Sequence, residues 1–261
     1  MEGNLQQFID TSFDHISSTE QSLNLLTKFS QIKDMQLNLE AKYHSVFVHY
    51  TRRDLEGVRK LYQKYKDTPF IPRNTPPVSG AIAWARQLYR RIEIPMKIFK
   101  SHTNVLETID AKKHIRNYNK LARALIEFEI LWYKSWYNVV EETKTGLHAT
   151  LLVADAQGQL YVNFDFNIIQ LIKETKYMQR LGFDIPEPLM NVCLKETYYK
   201  NLHTSLSSIL ASKRNILARV SNTVRRAMTP HIDDLDKTLQ PGLTALTWYD
   251  FRELIIRKGH P

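Results

Sequence analysis

The residue types that catalyse reactions occur in this sequence at spacings that do not form a known catalytic set. His44 and His49 are five positions apart and would point to different faces of a helix. Glu127 and Glu129 are two apart in a helical stretch, so they face away from each other and cannot act as a paired acid and base. The motifs G-x-S-x-G and H-E-x-x-H are missing from the sequence. We therefore expect a chain that is not an enzyme.

The sequence also does not indicate a metal or phosphate site. Mg²⁺ or Ca²⁺ needs several oxygens from a defined loop, so the acidic run Asp233–Asp236 is better explained as carboxylates near a helix start. Residues 155–158 (DAQG) lack the spacing of a calcium loop and predict a turn. Gly80 stands alone, and none of the eight glycines is followed by Lys, as a phosphate-binding loop requires. We expect no metal and no cofactor.

Cysteine content and hydropathy suggest where the chain resides. Cys193 is the single cysteine, which excludes an intramolecular disulfide and a multi-cysteine zinc site and suits a reducing compartment such as the cytosol. The first ten residues do not resemble a secretion signal, and no apolar run approaches the roughly 18 residues of a membrane helix. We expect no membrane insertion.

The chain carries a formal net charge of +9, which favours an acidic partner. Its basic residues are spread over most of the sequence, whereas a nucleic-acid site concentrates them on one face. Solvated helix faces therefore explain them better, and we do not expect nucleic acid as a partner. The candidate partner-binding residues are Arg86, Arg90, Arg91, Arg225 and Arg226.

Residues 76–96 (PPVSGAIAWARQLYRRIEIPM) predict a two-sided helix. At about 100° per residue, Trp84 and Leu88 fall on the apolar half and the arginines on the opposite half. Ser79 is expected to cap the start of this helix, and Pro95 to end or kink it.

Apolar periodicity divides the rest of the chain into further elements. Residues 1–68 predict N-terminal helices, and the four prolines of the next segment predict a linker at 69–78. Residues 79–248 predict helical bundles with a short hairpin near 150–164, and 249–261 form a divergent C-terminal end. The fold class is mainly α, with elongated, stacked antiparallel helical bundles and one short β-hairpin.

Individual residues within 79–248 have predicted structural roles. Trp132 and Trp136 belong to a buried stripe that runs to Val139. Asp165 is expected to cap the next helix and Gly182 to end it. A long helix is expected from about Leu189 to Met228, stopped by Thr229-Pro230, with a turn at Pro241-Gly242.

Three stretches in order resemble the N-terminal tail region of dynein heavy chains, more of the axonemal than of the cytoplasmic type. They are PPVSGAIAWARQLYRRIEIPM, LYVNFDFNIIQLIKETKYMQRLGFDIPE and TPHIDDLDKTLQPGLTALTW. The resemblance covers about Tyr62 to Trp248. It departs from the family pattern at Phe166, where members usually carry Pro, and after Trp248, where the family tail continues into further helical bundles.

This resemblance implies a helical rod that associates with other dynein heavy chains and carries dynein intermediate and light chains. Such a tail attaches the motor to its cargo, which in the axoneme of a cilium is the doublet microtubule. It implies a location in the cytoplasm and cytoskeleton, at the ciliary axoneme. Force comes from an AAA+ ring and a microtubule-binding stalk further downstream, so we expect this sequence to be a piece or short form of a heavy chain.

The sequence thus favours a non-catalytic tail segment that serves assembly of the motor complex in microtubule-based movement. One alternative is a basic helical module that binds nucleic acid or an anionic membrane. Another is an enzyme of unrecognised type, which would need a cleft of convergent polar groups around Glu127, His148 or Asp233.

Overall fold

A computed structural model describes residues 7–9, 11–13, 16, 18–32 and 39–249, apart from the side chains of 103, 104 and 141–145. The chain divides into two compact units, residues up to Tyr133 and residues from Lys134 onward. The predicted mainly α fold class with a short hairpin is confirmed for the described residues. The N-terminal, linker and C-terminal boundaries assigned from the sequence stay predictions.

The first unit is built from helices. They are α1 (Thr19–Ser30), α2 (Glu40–His49), a π-helical turn (Tyr50–Leu55), α3 (Glu56–Tyr65), α4 (Pro77–Ser101), the short α5 (Thr103–Leu106) and the first part of α6 (Ile109–Leu147). The apolar faces of these helices meet in one core, which includes Leu23, Leu26, Tyr43, Phe47, Tyr50, Val58, Trp84, Leu88, Ile92, Phe99, Leu125 and Phe128.

An aromatic cluster joins three helices of this unit. Tyr62 of α3 stacks on Trp84 of α4 with ring centroids 6.4 Å apart, and Phe128 of α6 lies 5.7 Å from Trp84 and 5.9 Å from Tyr62. Aromatic pairs at these separations stabilise beyond the area that they bury. The sequence placed Trp84 and Leu88 on the buried side of α4, and both are buried there.

The second unit combines helices with the hairpin. It contains the rest of α6, β1 (Leu152–Ala154), β2 (Leu160–Val162), α7 (Asn167–Arg180), α8 (Glu187–Leu194), α9 (Glu196–Arg219), α10 (Asn222–Ala227) and α11 (Thr229–Thr244). Its core includes Leu147, Leu151, Leu152, Ile168, Ile172, Val192, Tyr199, Leu210, Leu239 and Trp248.

The hairpin lies inside the predicted range 150–164. Its strands are antiparallel, with Leu152 opposite Val162. The turn is fixed by Asp155, whose Oδ1 accepts the amides of Gln157 and Gln159 at 2.9 and 2.8 Å, and by Gly158 at φ +78°. Since a two-stranded hairpin is marginal alone, its packing on α9 and α11 is what stabilises it.

Helix α4 is the helix predicted at 79–95, and both of its ends differ from the prediction. The helix begins at Pro77, because proline suits the first helical position, so Ser79 is a buried residue of the first turn and not the cap. It continues past Pro95 to Ser101, so Pro95, which was expected to end or kink the helix, does not end it. Met96 and Phe99, which follow the proline, are at most 1% exposed, and their burial outweighs the lost backbone hydrogen bond.

Helix α11 corrects the predicted turn at Pro241-Gly242. Both residues lie within the helix, which runs on to Thr244. Gly242 is buried against β1: a Cβ there would stand 3.1 Å from Leu152 Cδ1. Gly242 therefore permits α11 and β1 to pack closely. The turn predicted at Pro241-Gly242 does not form.

The long helix predicted from Leu189 to Met228 is three helices, α8 to α10. Val220 adopts an extended conformation, and Ser221 then caps α10 by accepting the amide of Val224 at 3.5 Å. Thr229 and Pro230, predicted as a helix stop, begin α11. Three apolar residues of this stretch, Ile209, Ile216 and Val224, are exposed.

Asp165 and Gly182 frame α7. The helix begins at Asn167 and Phe166 occupies the cap position, so Asp165 lies one residue before the place where the cap was expected. Its Oδ1 atom still accepts the amide of Asn167, the first helical residue, at 2.9 Å. Gly182, at φ +83°, follows the end of the helix, and the amide of Phe183 donates to the carbonyl of Met178 at 3.1 Å.

The buried stripe predicted on α6 is found at Trp136, but the next buried residue differs from the predicted one. Trp136 is 1% exposed and Trp132 is half-buried, with its ring 5.8 Å from Phe128. Val139 is 44% exposed, and Val140, four residues after Trp136, is buried in its place.

Replacing Trp136 by Ala should lower the free energy of unfolding by about 3–5 kcal/mol, since a fully buried aromatic side chain is removed. Trp132→Ala should lower it by less, about 1–2 kcal/mol, because that ring is half-exposed. Denaturant titration followed by circular dichroism measures both, with the exposed Tyr137→Ala as control. Equal losses for Trp136→Ala and Tyr137→Ala would contradict the burial of Trp136.

A second prediction compares two glycines. Gly182→Ala should destabilise the chain by about 1 kcal/mol, because its positive φ is strained for a residue with a Cβ. Gly57→Ala should stabilise it by about 0.5–1 kcal/mol, because Gly57 is helical in α3 and nothing lies within 4 Å of the added Cβ. Thermal melts of both variants test this, and a destabilised Gly57→Ala would be contrary to the account.

Candidate interaction surfaces

The three candidate arginines of α4 do not form one basic patch. The Nε and Nη2 atoms of Arg86 donate to the two carboxylate oxygens of Glu129 on α6, at 3.1 and 2.7 Å. Both side chains are roughly one-quarter exposed. This bidentate pair links α4 to α6, so Arg86 has a structural contact within the unit.

Arg91 is also engaged, while Arg90 is directed outward. Arg91 Nη2 donates to Asp54 Oδ1 at 3.1 Å, and the other oxygen of Asp54 accepts the hydroxyl of Thr19. Arg90 is exposed and has no ion-pair partner among the described residues. Together with Arg53 and Ile94, these residues line a cleft of about 400 Å³ between α1, the π-helical turn and α4.

Arg225 and Arg226 lie on α10, which buries none of its residues. The Nη2 atom of Arg225 donates to the carbonyl of Leu217 at 3.3 Å, and Arg226 is exposed. Val224, on the same helix, is 49% exposed, so α10 presents an apolar residue beside Arg225 and Arg226. Of the five candidate arginines, Arg86 and Arg91 are thus paired with carboxylates, whereas Arg90, Arg225 and Arg226 are exposed and have no ion-pair partner among the described residues.

A larger groove in the first unit was not found from the sequence. It has a volume of about 630 Å³ and lies between the π-helical turn and α3 on one side and α6 on the other. We call it the α3–α6 groove and define it by six lining residues: Arg52, Leu55, Tyr62, Asn117, Lys120 and Leu121. The sequence contained a signal for the π-helical turn but not for the groove. The buried residues Tyr50 and Leu55 are five positions apart, a spacing that fits a π turn better than an α turn.

Charges at the edge of the groove are partly neutralised. Arg59 donates from Nε and Nη2 to the two oxygens of Glu56, each at 2.8 Å. This hydrogen bonding holds the pKa of the Glu56 carboxyl below its usual range, so the carboxylate stays charged. Burial raises the pKa of Tyr62, whose neutral hydroxyl donates to the carbonyl of Ala124 at 3.4 Å.

The described residues hold no group of three or more His, Cys, Asp or Glu side chains that could bind a metal ion. In the acidic run 233–236, Asp236 pairs with Lys213 of α9, and Asp234 lies 3.8 Å from Lys237. Cys193 is half-buried, and burial raises the pKa of its thiol, which is the reverse of what a nucleophilic cysteine needs. Within the described residues, no helix is long and apolar enough to span a membrane.

The described residues thus form helices packed in two units, with ion pairs between helices and grooves on the surface of each unit. The comparisons with known proteins identify the family.

A family model described as "Dynein heavy chain, N-terminal region 1" matches residues 1–253. The chain is 44% identical over 252 residues to the dynein gamma chain of the flagellar outer arm of Chlamydomonas reinhardtii, an alignment that covers 95% of this chain and 6% of that protein. It is 40% identical over 245 residues to dynein axonemal heavy chain 5 of Rattus norvegicus, covering 94% and 7%. The chain belongs to the dynein heavy chain family.

A third relative, dynein axonemal heavy chain 8 of Homo sapiens, is 35% identical over 251 residues, covering 95% of this chain and 6% of that protein. The chain therefore spans only a small part of the length of its relatives, and the matched part is the N-terminal region of the heavy chain. The resemblance read from the three sequence stretches is confirmed, and so is its axonemal character, since these relatives are axonemal or flagellar.

The Arg86–Glu129 pair gives a third prediction. In a double-mutant cycle with Arg86→Ala and Glu129→Ala, the coupling free energy should be about 0.5–1 kcal/mol, since the pair is bidentate but partly exposed. It should fall in about 1 M salt, where the Debye length is about 3 Å. Chemical denaturation of the four proteins of the cycle, at low salt and at about 1 M salt, measures this coupling free energy. A coupling of zero at low salt would show that the pair does not join α4 to α6.

Proposed function

We propose that this chain is a non-catalytic tail segment of a dynein heavy chain that serves assembly of the motor complex. In this proposal it associates with dynein intermediate and light chains and with other heavy chains, and it helps attach the motor to the axonemal microtubule or another cargo. Its place is then the cytoskeleton of the ciliary axoneme. The observation that carries the proposal is the match to the N-terminal region of dynein heavy chains over residues 1–253.

The distribution of charge supports a protein partner. Arg86 and Arg91 are held by carboxylates of the same unit, and the accessible arginines are adjoined by exposed apolar residues, Ile94 near Arg90 and Val224 beside Arg225. Mixed apolar and arginine surfaces are typical of protein interfaces. A surface built for nucleic acid would instead present many unpaired cations along one face.

The alternative, a basic module that binds nucleic acid or an anionic membrane, rests on the net charge of +9. It predicts affinity that falls steeply as salt rises, because each neutralised phosphate releases counterions. Titration of the chain with duplex DNA and with anionic vesicles at low and physiological salt distinguishes the two functions.

The direct test is co-purification of the tagged 261-residue chain with purified dynein intermediate chain, after circular dichroism has shown cooperative unfolding of the tagged chain. We expect a stable complex. Arg90→Glu/Arg226→Glu should weaken it about fivefold, which corresponds to about 1 kcal/mol for two exposed charges.

The matched control is Arg73→Glu/Arg123→Glu. It makes the same change of charge at two exposed arginines that have no polar partner among the described residues. This control should bind like the unmodified chain. A folded chain that binds no intermediate, light or heavy chain would overturn the proposed function.

A further inference from the structure

We infer that the α3–α6 groove is a docking site for an acidic amphipathic segment of another protein chain. The inference rests on the proposed function and adds to it the surface involved and the chemistry of the partner. The groove lies wholly within the first unit, and none of the five arginines singled out from the sequence lines it.

The π-helical turn shapes one wall of the groove. A π turn holds one residue more than an α turn, and such turns occur frequently at functional sites. Here it spans Tyr50–Leu55 and keeps Tyr50 and Leu55 in the core, while Arg52 between them is exposed at the groove. The hydroxyl of Tyr50 anchors the turn by donating to the carbonyl of Ile92 at 2.8 Å.

The floor of the groove is apolar and is formed by residues of the π-helical turn, α3 and α6. Leu55 and Leu121 are 5% and 6% exposed, and Ala124 lies beside them on α6. Tyr62 contributes its ring and is fixed by the aromatic cluster with Trp84 and Phe128. Amphipathic helices place their apolar side chains in grooves with apolar floors of this kind.

The rims carry unneutralised positive charge. Arg52 stands on the π-helical turn and Lys120 on α6, and neither has a hydrogen-bond or ion-pair partner among the described residues. The groove also holds Arg59, which is paired with Glu56, so three cations face one carboxylate. The amides of Gln63 and Asn117 add donors and acceptors along the same walls.

Charge and shape together select the occupant. A helix with leucines on one side would fill the apolar floor, and acidic residues beside that side would reach Arg52 and Lys120. A membrane surface needs a convex apolar face, whereas this site is concave. Nucleic acid would leave the floor of Leu55, Leu121 and Ala124 without an apolar partner.

The test uses the 261-residue chain and a fluorescent peptide of about 18 residues, or five helical turns, with leucines along one face and glutamates flanking them. A scrambled peptide of the same composition, duplex DNA and phosphatidylserine vesicles serve as competing ligands. Fluorescence anisotropy at about 0.15 M salt, where the Debye length is about 8 Å, gives the affinities. We expect the amphipathic peptide to bind at least about tenfold more tightly than the scrambled one.

Two variants separate groove binding from general charge attraction. Arg52→Glu/Lys120→Glu should weaken peptide binding at least about tenfold, whereas the matched Arg73→Glu/Lys66→Glu, at exposed sites that do not line the groove, should change it less than about twofold. Ala124→Arg adds positive charge but fills the floor, so it should also weaken binding. Stronger binding by Ala124→Arg would overturn the inference.

Further outcomes bear on the occupant and on the proposed function separately. If DNA or vesicles bind as tightly as the peptide and lose binding with Arg52→Glu/Lys120→Glu, the occupant is wrong. If the charge reversals unfold the chain, Arg52→Gln/Lys120→Gln removes the same charges, and we expect it to weaken peptide binding in the same way.

The groove and the proposed function can fail separately. If intermediate chain co-purifies equally well with the groove variants and with the unmodified chain, the docking site is wrong but the tail function stands. Failure of the unmodified chain to bind any dynein subunit overturns the function.

Discussion

The contact among Tyr62, Trp84 and Phe128 is the one on which the first unit depends. It fixes α3 and α6 against α4, each at a ring-to-ring distance near 6 Å. Tyr62 also lines the α3–α6 groove, and its hydroxyl reaches the carbonyl of Ala124 on the opposite wall. The width of the groove is therefore set by the core, and a partner would meet a surface that is already formed.

Charged residues of this unit divide into two kinds with different physical roles. Arg86 with Glu129, and Arg91 with Asp54, form ion pairs that connect separate elements. Arg52, Arg90 and Lys120 are exposed and have no such partner in the described part of the chain. The first kind holds helices in place, and the second offers charge that complements an acidic partner. Net charge alone does not make this distinction, because it counts both kinds equally.

Much of the fold follows from periodicity, and the errors have a common cause. The mainly α class, the hairpin and the burial of Trp84, Leu88 and Trp136 follow from apolar spacing, because burial of one face dominates helix formation. Pro95, Pro241 and Gly242 were interpreted by local rules, yet packing of Met96 and Phe99, and of Leu152 against Gly242, keeps both helices continuous. A single proline or glycine is therefore a weak indication of a helix end where buried residues before and after it stabilise the helix.

The candidate surfaces were harder to predict than the fold. Sequence shows that Arg86 and Arg90 share a helix face, but Glu129 is 43 positions from Arg86, so the pairing requires the tertiary structure. The α3–α6 groove likewise joins residues of the π-helical turn to residues of α6, far apart in sequence. The five-residue step from Tyr50 to Leu55 was the available local signal, and it indicates the π turn without indicating what faces it.

We propose that this segment contacts another dynein subunit through the first unit. Photo-crosslinking in an assembled dynein tests it most directly, with benzoylphenylalanine placed at Gln63, in the groove, or at Leu61, about 200° away on α3 and also exposed. We expect an adduct between Gln63 and an acidic segment of a dynein intermediate, light or heavy chain, and no such adduct from Leu61. Adducts that are absent at both positions, or the same at both, would contradict it.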